Sequence, residues 1–192
     1  DGVVGTGCIR TQKILPGDNS WTTALHEVQC RIPDSSSARV LDADISDSEI
    51  MGCSFSGGLG SRLRGTGNVK AIGNKFDRSN SSGAGLEIAK ATESMTAHLI
   101  VGNQFDANKG VGLLINGDFN DALLDANCRP SITGNQFRTI GLGTFDIKFK
   151  NLTGPVLNGG TVVGNTHTSL SSTRCWWDPM RWTGIEMFPY QI

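Results

Sequence analysis

The 192-residue chain has no stretch approaching eighteen consecutive apolar residues, so nothing in it reads as a membrane-spanning helix. It is poor in charge: 17 Lys and Arg stand against 18 Asp and Glu, they are scattered, and the formal net charge is -1. The basic patch expected of a nucleic-acid binder is therefore missing. Five cysteines (Cys8, Cys30, Cys53, Cys128, Cys175) are far apart, odd in number and never spaced C-x-x-C, which argues against a disulfide framework or a zinc site and for buried reduced thiols. His26, His98 and His167 sit in unrelated contexts, so neither a metal centre nor a cofactor is expected. Only six prolines accompany 25 glycines and abundant Asn, Ser and Thr, a composition of tight turns and not of a helical bundle. The first residue is Asp1, with no Met and no apolar leader, as expected of a processed product or a piece of a longer chain.

What the chain does have is one phrase, spelled repeatedly. MGCSF (51–55), IGNKF (72–76), VGNQF (101–105), TGNQF (133–137) and VGNTH (163–167) align on Gly52, Gly73, Gly102, Gly134 and Gly164, which are 21, 29, 32 and 30 residues apart. A weaker phrase follows the middle three: GAGLEI (83–88), GVGLLI (110–115) and GLGTFDIKF (141–149). Each unit reads as a short strand, a tight turn, a second strand, a glycine turn, a third strand and a loop. Such a unit cannot bury its apolar residues alone, whereas stacked units make a continuous core.

Alternation agrees. Leu113 and Ile115, or Phe145, Ile147 and Phe149, fall on one face, while Leu114, or Asp146 and Lys148, fall on the other. The arrangement that satisfies both patterns is an all-β parallel β-helix with one coil per repeat and like residues stacked at about 4.8 Å. Phe55, Phe76, Phe105 and Phe137 then form an interior stack. Asn74, Asn103, Asn135 and Asn165 occupy the turn, where a left-handed backbone is tolerated and each amide can reach the Asn one coil away. Cys53 replaces the Asn in the first of these coils, and His167 replaces the Phe in the last.

The G-N-x-F phrase with its following strand resembles the repeats of right-handed parallel β-helix proteins: pectate-lyase-like lyases and hydrolases, alginate epimerases and, most of all, bacteriophage tailspikes. Residues 17–25, GDNSWTTAL, resemble the GDG-x-x-DDTAA segment that opens many phage-associated members, with Trp21 and Thr22 in place of its paired Asp. The resemblance implies a single-stranded right-handed β-helix over 38–167, an N-terminal cap or irregular coil over 1–37, and an aromatic-rich C-terminal cap or oligomerisation segment over 168–192. It also implies a virion-tail or extracellular setting and a homotrimer. The lyase and polygalacturonase signatures are not present, so no catalytic residue transfers by motif.

Geometry supplies candidates instead. On the second phrase of each coil the residue between two inward apolar ones faces out: Arg62, Glu87, Leu114 and Asp146. In-register stacking puts Glu87 and Asp146 two coils apart, roughly 9–10 Å, close to the separation of about 6.5–9.5 Å of an inverting acid and base. These two are the expected catalytic pair, with Arg62 beside them as a substrate contact. Loops of unequal length, 64–69, 89–98, 116–131 and 150–160, leave the same strand in every coil and would wall a groove. The longest, NGDFNDALLDANCRPS, adds Asp118, Asn120, Asp121 and Asp125 as substrate contacts, although its spacing equally suits a short solvated helix. The tail TRCWWDPMRWTGIEMFPYQI holds three of the four Trp and the only Tyr, which must be buried in a cap, an interface or a sugar platform.

Two readings of function follow. In one, the protein binds a bacterial surface polysaccharide and cleaves it with acids on the groove face. In the other it is a non-catalytic structural or adhesin module.

Overall fold

The computed structural model describes residues 9–11, 23–44, 48–64, 69–89, 98–116, 130–141, 145–150, 161–168, 173–176 and 186–187. These are strands joined by turns, bends and irregular connections, and none is helical. No helix long and apolar enough to cross a membrane occurs among them. The strands form three sheets of seven, seven and six, and every neighbouring pair in them is parallel. The chain visits the sheets in turn. Ala84–Ala89 lies in the first, Leu99–Val101 in the second and Gln104–Asn108 in the third, and Val111–Asn116 then returns to the first beside Ala84–Ala89. Three stacked parallel sheets visited in rotation are the layout of a parallel β-helix. The stack runs from Ile9–Thr11, which pairs with Leu41–Asp44, to Thr173–Trp176 and Glu186–Met187, which extend the first and second sheets. The remainder of the aromatic tail lies outside the described residues.

The core is built from columns, one residue per coil. Leu86, Leu113 and Ile147 are in register in the first sheet, Ile50, Ala71, Ile100 and Ile132 in the second, and all are essentially inaccessible to solvent. In the third sheet Phe55, Phe76, Phe105 and Phe137 stack with centroids 5.8, 5.4 and 4.7 Å apart, and His167 continues the pile 5.2 Å above Phe137. These spacings follow the inter-strand distance and fall within the offset-stacking range. The repeated Phe is thus the consequence of parallel, in-register pairing.

The tight corner between the second and third sheets divides its labour differently from the expectation. The left-handed residue is the glycine, with φ of 61, 64, 63, 63 and 65° at Gly52, Gly73, Gly102, Gly134 and Gly164, and not the Asn that follows. At Gly73, Gly102 and Gly134 an added Cβ would meet nothing within 4 Å, so backbone conformation and not space selects glycine there. Glu27 takes the same corner in the first coil at φ 56°.

The Asn is free to turn inward and is buried. Asn74 Nδ2 donates to Asn103 Oδ1 (2.9 Å), Asn103 Nδ2 to Asn135 Oδ1 (3.0 Å) and Asn135 Nδ2 to Asn165 Oδ1 (2.9 Å). Each Nδ2 also donates to a backbone carbonyl of the preceding coil, and each Oδ1 accepts the backbone N–H of the residue below it. The ladder thereby satisfies corner backbone groups that strand pairing leaves over. Cys53 does the same work with one atom, its sulfur accepting the N–H of Val28 (3.4 Å) and donating to the carbonyl of Leu25 (3.2 Å).

His98, at the opposite corner, makes stability depend on pH. It is 1% exposed, its Nδ1 accepts the N–H of Val69 at 3.3 Å, and its Nε2 is buried without a hydrogen-bond partner. Burial pushes its pKa down from 6.5 to about 4. Above pH 6.5 the ring is neutral both folded and unfolded. Below it the unfolded chain takes up a proton that the folded chain refuses until about pH 4, so stability is lost as pH falls through that window, by about 3 kcal/mol in all. Urea denaturation of the parent and of His98→Gln at pH 7 and pH 4 checks this; equal losses in the two proteins would exclude His98 as the cause.

Candidate functional site

The outer face of the first sheet carries the column in which the sequence places its acids, but with a different membership. Register runs Asp42, Arg62, Glu87, Leu114, Lys148. Leu114 lies opposite Lys148, so Lys148 and not Asp146 continues the column of Glu87. The acid two coils from Glu87 is Asp42, and Arg62 stands between them.

Glu87 and its described charged neighbours Arg39, Arg62 and Asp42 are each ion-paired. Glu87 is 7% exposed; its Oε1 accepts from Asn116 Nδ2 (2.9 Å), and its Oε2 lies 2.6 Å from Arg39 Nη2. Burial lowers the pKa of Arg39, against the opposing attraction of Glu87. Arg62 donates from Nε and Nη2 to the two oxygens of Asp42, at 3.0 and 2.8 Å. In-register strands set Asp42 and Arg62 opposite one another, and Arg62 stands in register between the two acids Asp42 and Glu87, so signs alternate along this part of the column. Of the expected site residues, the structure brings Arg62 and Glu87 together. Asp118, Asn120, Asp121 and Asp125 lie outside the described residues.

Asp146 departs from the expected position altogether. It is completely buried, its Oδ1 accepts from Thr139 Oγ1, and its Oδ2 lies 2.9 Å from Nδ1 of His167, the residue stacked on Phe137. Strict alternation would have sent it outward. The register places Gly112 and Gly85 at the matching point of the two preceding coils. A Cβ on Gly112 would come 3.0 Å from the Phe137 ring, and one on Gly85 3.2 Å from the Phe105 ring, so this position points into the interior. Glycine fits there without contact, whereas a carboxylate needs the Thr139 and His167 partners it finds. The glycines at 85 and 112 were the sequence signal for this inversion. Asp146 thus faces the interior, and the outward column passes through Lys148 instead.

A further cluster, unmarked in the sequence reading, lies on the outer face of the third sheet. Gln104 is in register with Gln136, and Asp106 with Arg138, whose Nε donates to the Asp106 carboxylate. Together with Thr168 and the backbone at Phe105 and Phe137 they line a cleft of about 340 Å³. One coil earlier, Lys75 and Asp77 occupy the matching positions, with Lys75 Nζ 3.4 Å and Arg78 Nε 3.8 Å from Asp77. The signal was present as the variable letter of G-N-x-F and the letter after it. The repeated letters build the corner and core, so the unrepeated ones face out.

Among the described residues no group of three or more His, Cys, Asp or Glu is placed to hold a metal ion. The arrangement offers two polar outer faces: a ladder of paired charges on the first sheet, and an open, mixed donor–acceptor cleft on the third. No protein-family model matches the chain, and neither a curated protein nor a solved structure is significantly similar to it.

Proposed function

We propose that the chain is a polysaccharide-binding, right-handed parallel β-helix of the tailspike kind, engaging a bacterial surface polysaccharide from a virion tail or another extracellular position. The observation that carries this reading is the in-register stacking itself. The third sheet's outer face carries polar side chains in register, Lys75, Gln104 and Gln136 in one column and Asp77, Asp106 and Arg138 in the next, so an extended polymer lying along the stack meets a periodic row of contacts. The first-sheet face with Arg62 and Glu87 and the cleft of the third sheet are its two candidate surfaces. An assembly of three chains, with the aromatic tail as cap or contact, suits an elongated stack whose outer faces would otherwise stay open. A sedimenting mass three times the 20.4 kDa chain is the expected result, and a monomer at high micromolar concentration would leave the tail as a cap only.

Incubation with capsular and O-antigen polysaccharides, reading both retention and new reducing ends, tests the function. Retention of at least one polymer is expected, and retention of none would remove the proposal. Cleavage turns on Glu87, the acid that the first-sheet face retains from the expected pair. If the parent releases reducing ends, Glu87→Gln is expected to lower turnover by at least ~100-fold, as loss of an acid–base group does. Unchanged turnover would exclude Glu87. The second reading, an adhesin or structural module without catalysis, is favoured by the Arg39 and Asn116 contacts that occupy both oxygens of Glu87. Retention without reducing ends is its signature.

A further inference from the structure

The geometry points to the third-sheet cleft as a subsite for one uncharged, hydroxyl-rich unit of the bound polymer, recognised by Gln104, Gln136, Asp106, Arg138 and Thr168. It rests on the polysaccharide reading above but names a place and a chemistry that the reading does not require.

Three properties of the cleft carry it. First, its side chains supply both halves of a hydrogen bond. Each Gln amide offers a carbonyl acceptor and an NH₂ donor, Thr168 offers a hydroxyl, Asp106 accepts and Arg138 donates. A sugar hydroxyl also donates and accepts, and adjacent hydroxyls on one ring can meet such a mixed set. Second, the lining has one acid and one base, and they are paired with each other. An anionic or cationic unit would have to compete with that internal pair, whereas a neutral one adds to it. Third, the two amides are in register on adjacent coils, so they line up along the axis on which a polymer would lie. At about 340 Å³ the cleft is at the lower end of the ~300–1,000 Å³ range of small-ligand sites, suited to a single unit and not to a long buried segment.

The ordinary alternative is a solvated sheet face whose Asp106–Arg138 contact is a surface ion pair of little consequence. Solution NMR of the full ¹⁵N-labelled chain separates the two. The probes are neutral oligosaccharides built from glucose, galactose, mannose or N-acetylglucosamine, with oligogalacturonate as the acidic comparison, each at low and high salt. At least one neutral probe is expected to shift the side-chain NH₂ signals of Gln104 and Gln136 and the backbone amides of residues 104–106 and 136–138, with little dependence on salt. Arg138→Ala and Gln136→Ala replace exposed side chains, so the spectrum elsewhere should persist while affinity falls at least ~10-fold, the loss of one charge-assisted or well-formed hydrogen bond. No shift with any neutral probe, unchanged affinity in both variants, or shifts produced only by oligogalacturonate and erased by salt would each overturn the inference. Shifts confined to the first sheet, around Arg62, Glu87 and Asn116, would overturn the subsite while leaving polysaccharide binding standing.

Discussion

Phe105→Ala is expected to lower the free energy of unfolding by about 3–5 kcal/mol. Phe105 is fully buried, with the Phe76 ring 5.4 Å on one side and the Phe137 ring 4.7 Å on the other. Removing a ring from the middle of such a pile leaves a cavity that the neighbours cannot close, because each is carried by a strand hydrogen-bonded to both adjacent coils. The cost should therefore sit well above that of a truncation the surroundings can absorb. Urea denaturation measures it, with Gln104→Ala as the control. That side chain precedes Phe105 but faces out, and its loss should change stability by no more than about 0.5 kcal/mol. A loss below about 1 kcal/mol in Phe105→Ala would mean that the aromatic column is not a packed core.

Asn103→Leu should cost a similar amount, about 4 kcal/mol, for a different reason. Leucine nearly matches asparagine in size, so the effect tests hydrogen bonding and not volume. The Asn103 amide donates to the carbonyl of Ala71 (2.8 Å) and accepts the backbone N–H of Asn74 (2.9 Å), and both partners are buried. Leucine leaves both groups unsatisfied in the interior, at about 1–3 kcal/mol each, and also removes the side-chain link to Asn135. Asn103→Asp should not restore the parent, because a carboxylate can accept from Asn74 but cannot donate to Ala71, and it would face the Asn135 carbonyl oxygen. Thermal unfolding of the three proteins decides the matter. An Asp variant as stable as the parent would show that the donor half of the ladder contributes nothing.

Both effects concern residues of the repeated phrase, and there the sequence was most legible. A phrase that returns with Gly, Asn and Phe in fixed order reports corner and core, because the same local problem recurs once per coil and admits few solutions. The glycine resolves a left-handed backbone, the Asn the surplus polar groups of the corner, and the Phe the filling of the interior. The chemically informative positions were harder to read for the same reason. Gln104, Gln136, Asp106 and Arg138 differ from coil to coil or sit between repeated letters, and nothing local distinguishes a cleft from a solvated face.

The composition, the recurring phrase and the period-2 alternation by themselves determined an all-β stack with an aromatic column and an amide ladder, since these depend on short-range patterns that parallel pairing multiplies. Which residues share an outward column was decided only by the tertiary structure. Register between coils sets Leu113 against Ile147 and Leu114 against Lys148, so that Lys148, not Asp146, follows Leu114, while Gly85, Gly112 and Asp146 face inward. The coiling of the chain brought Arg39 to Glu87 across 48 residues, and strand register brought Asp106 to Arg138 across 32. Contacts at such separations follow from the sum of every intervening loop length and bulge, and no local pattern of residues carries that sum.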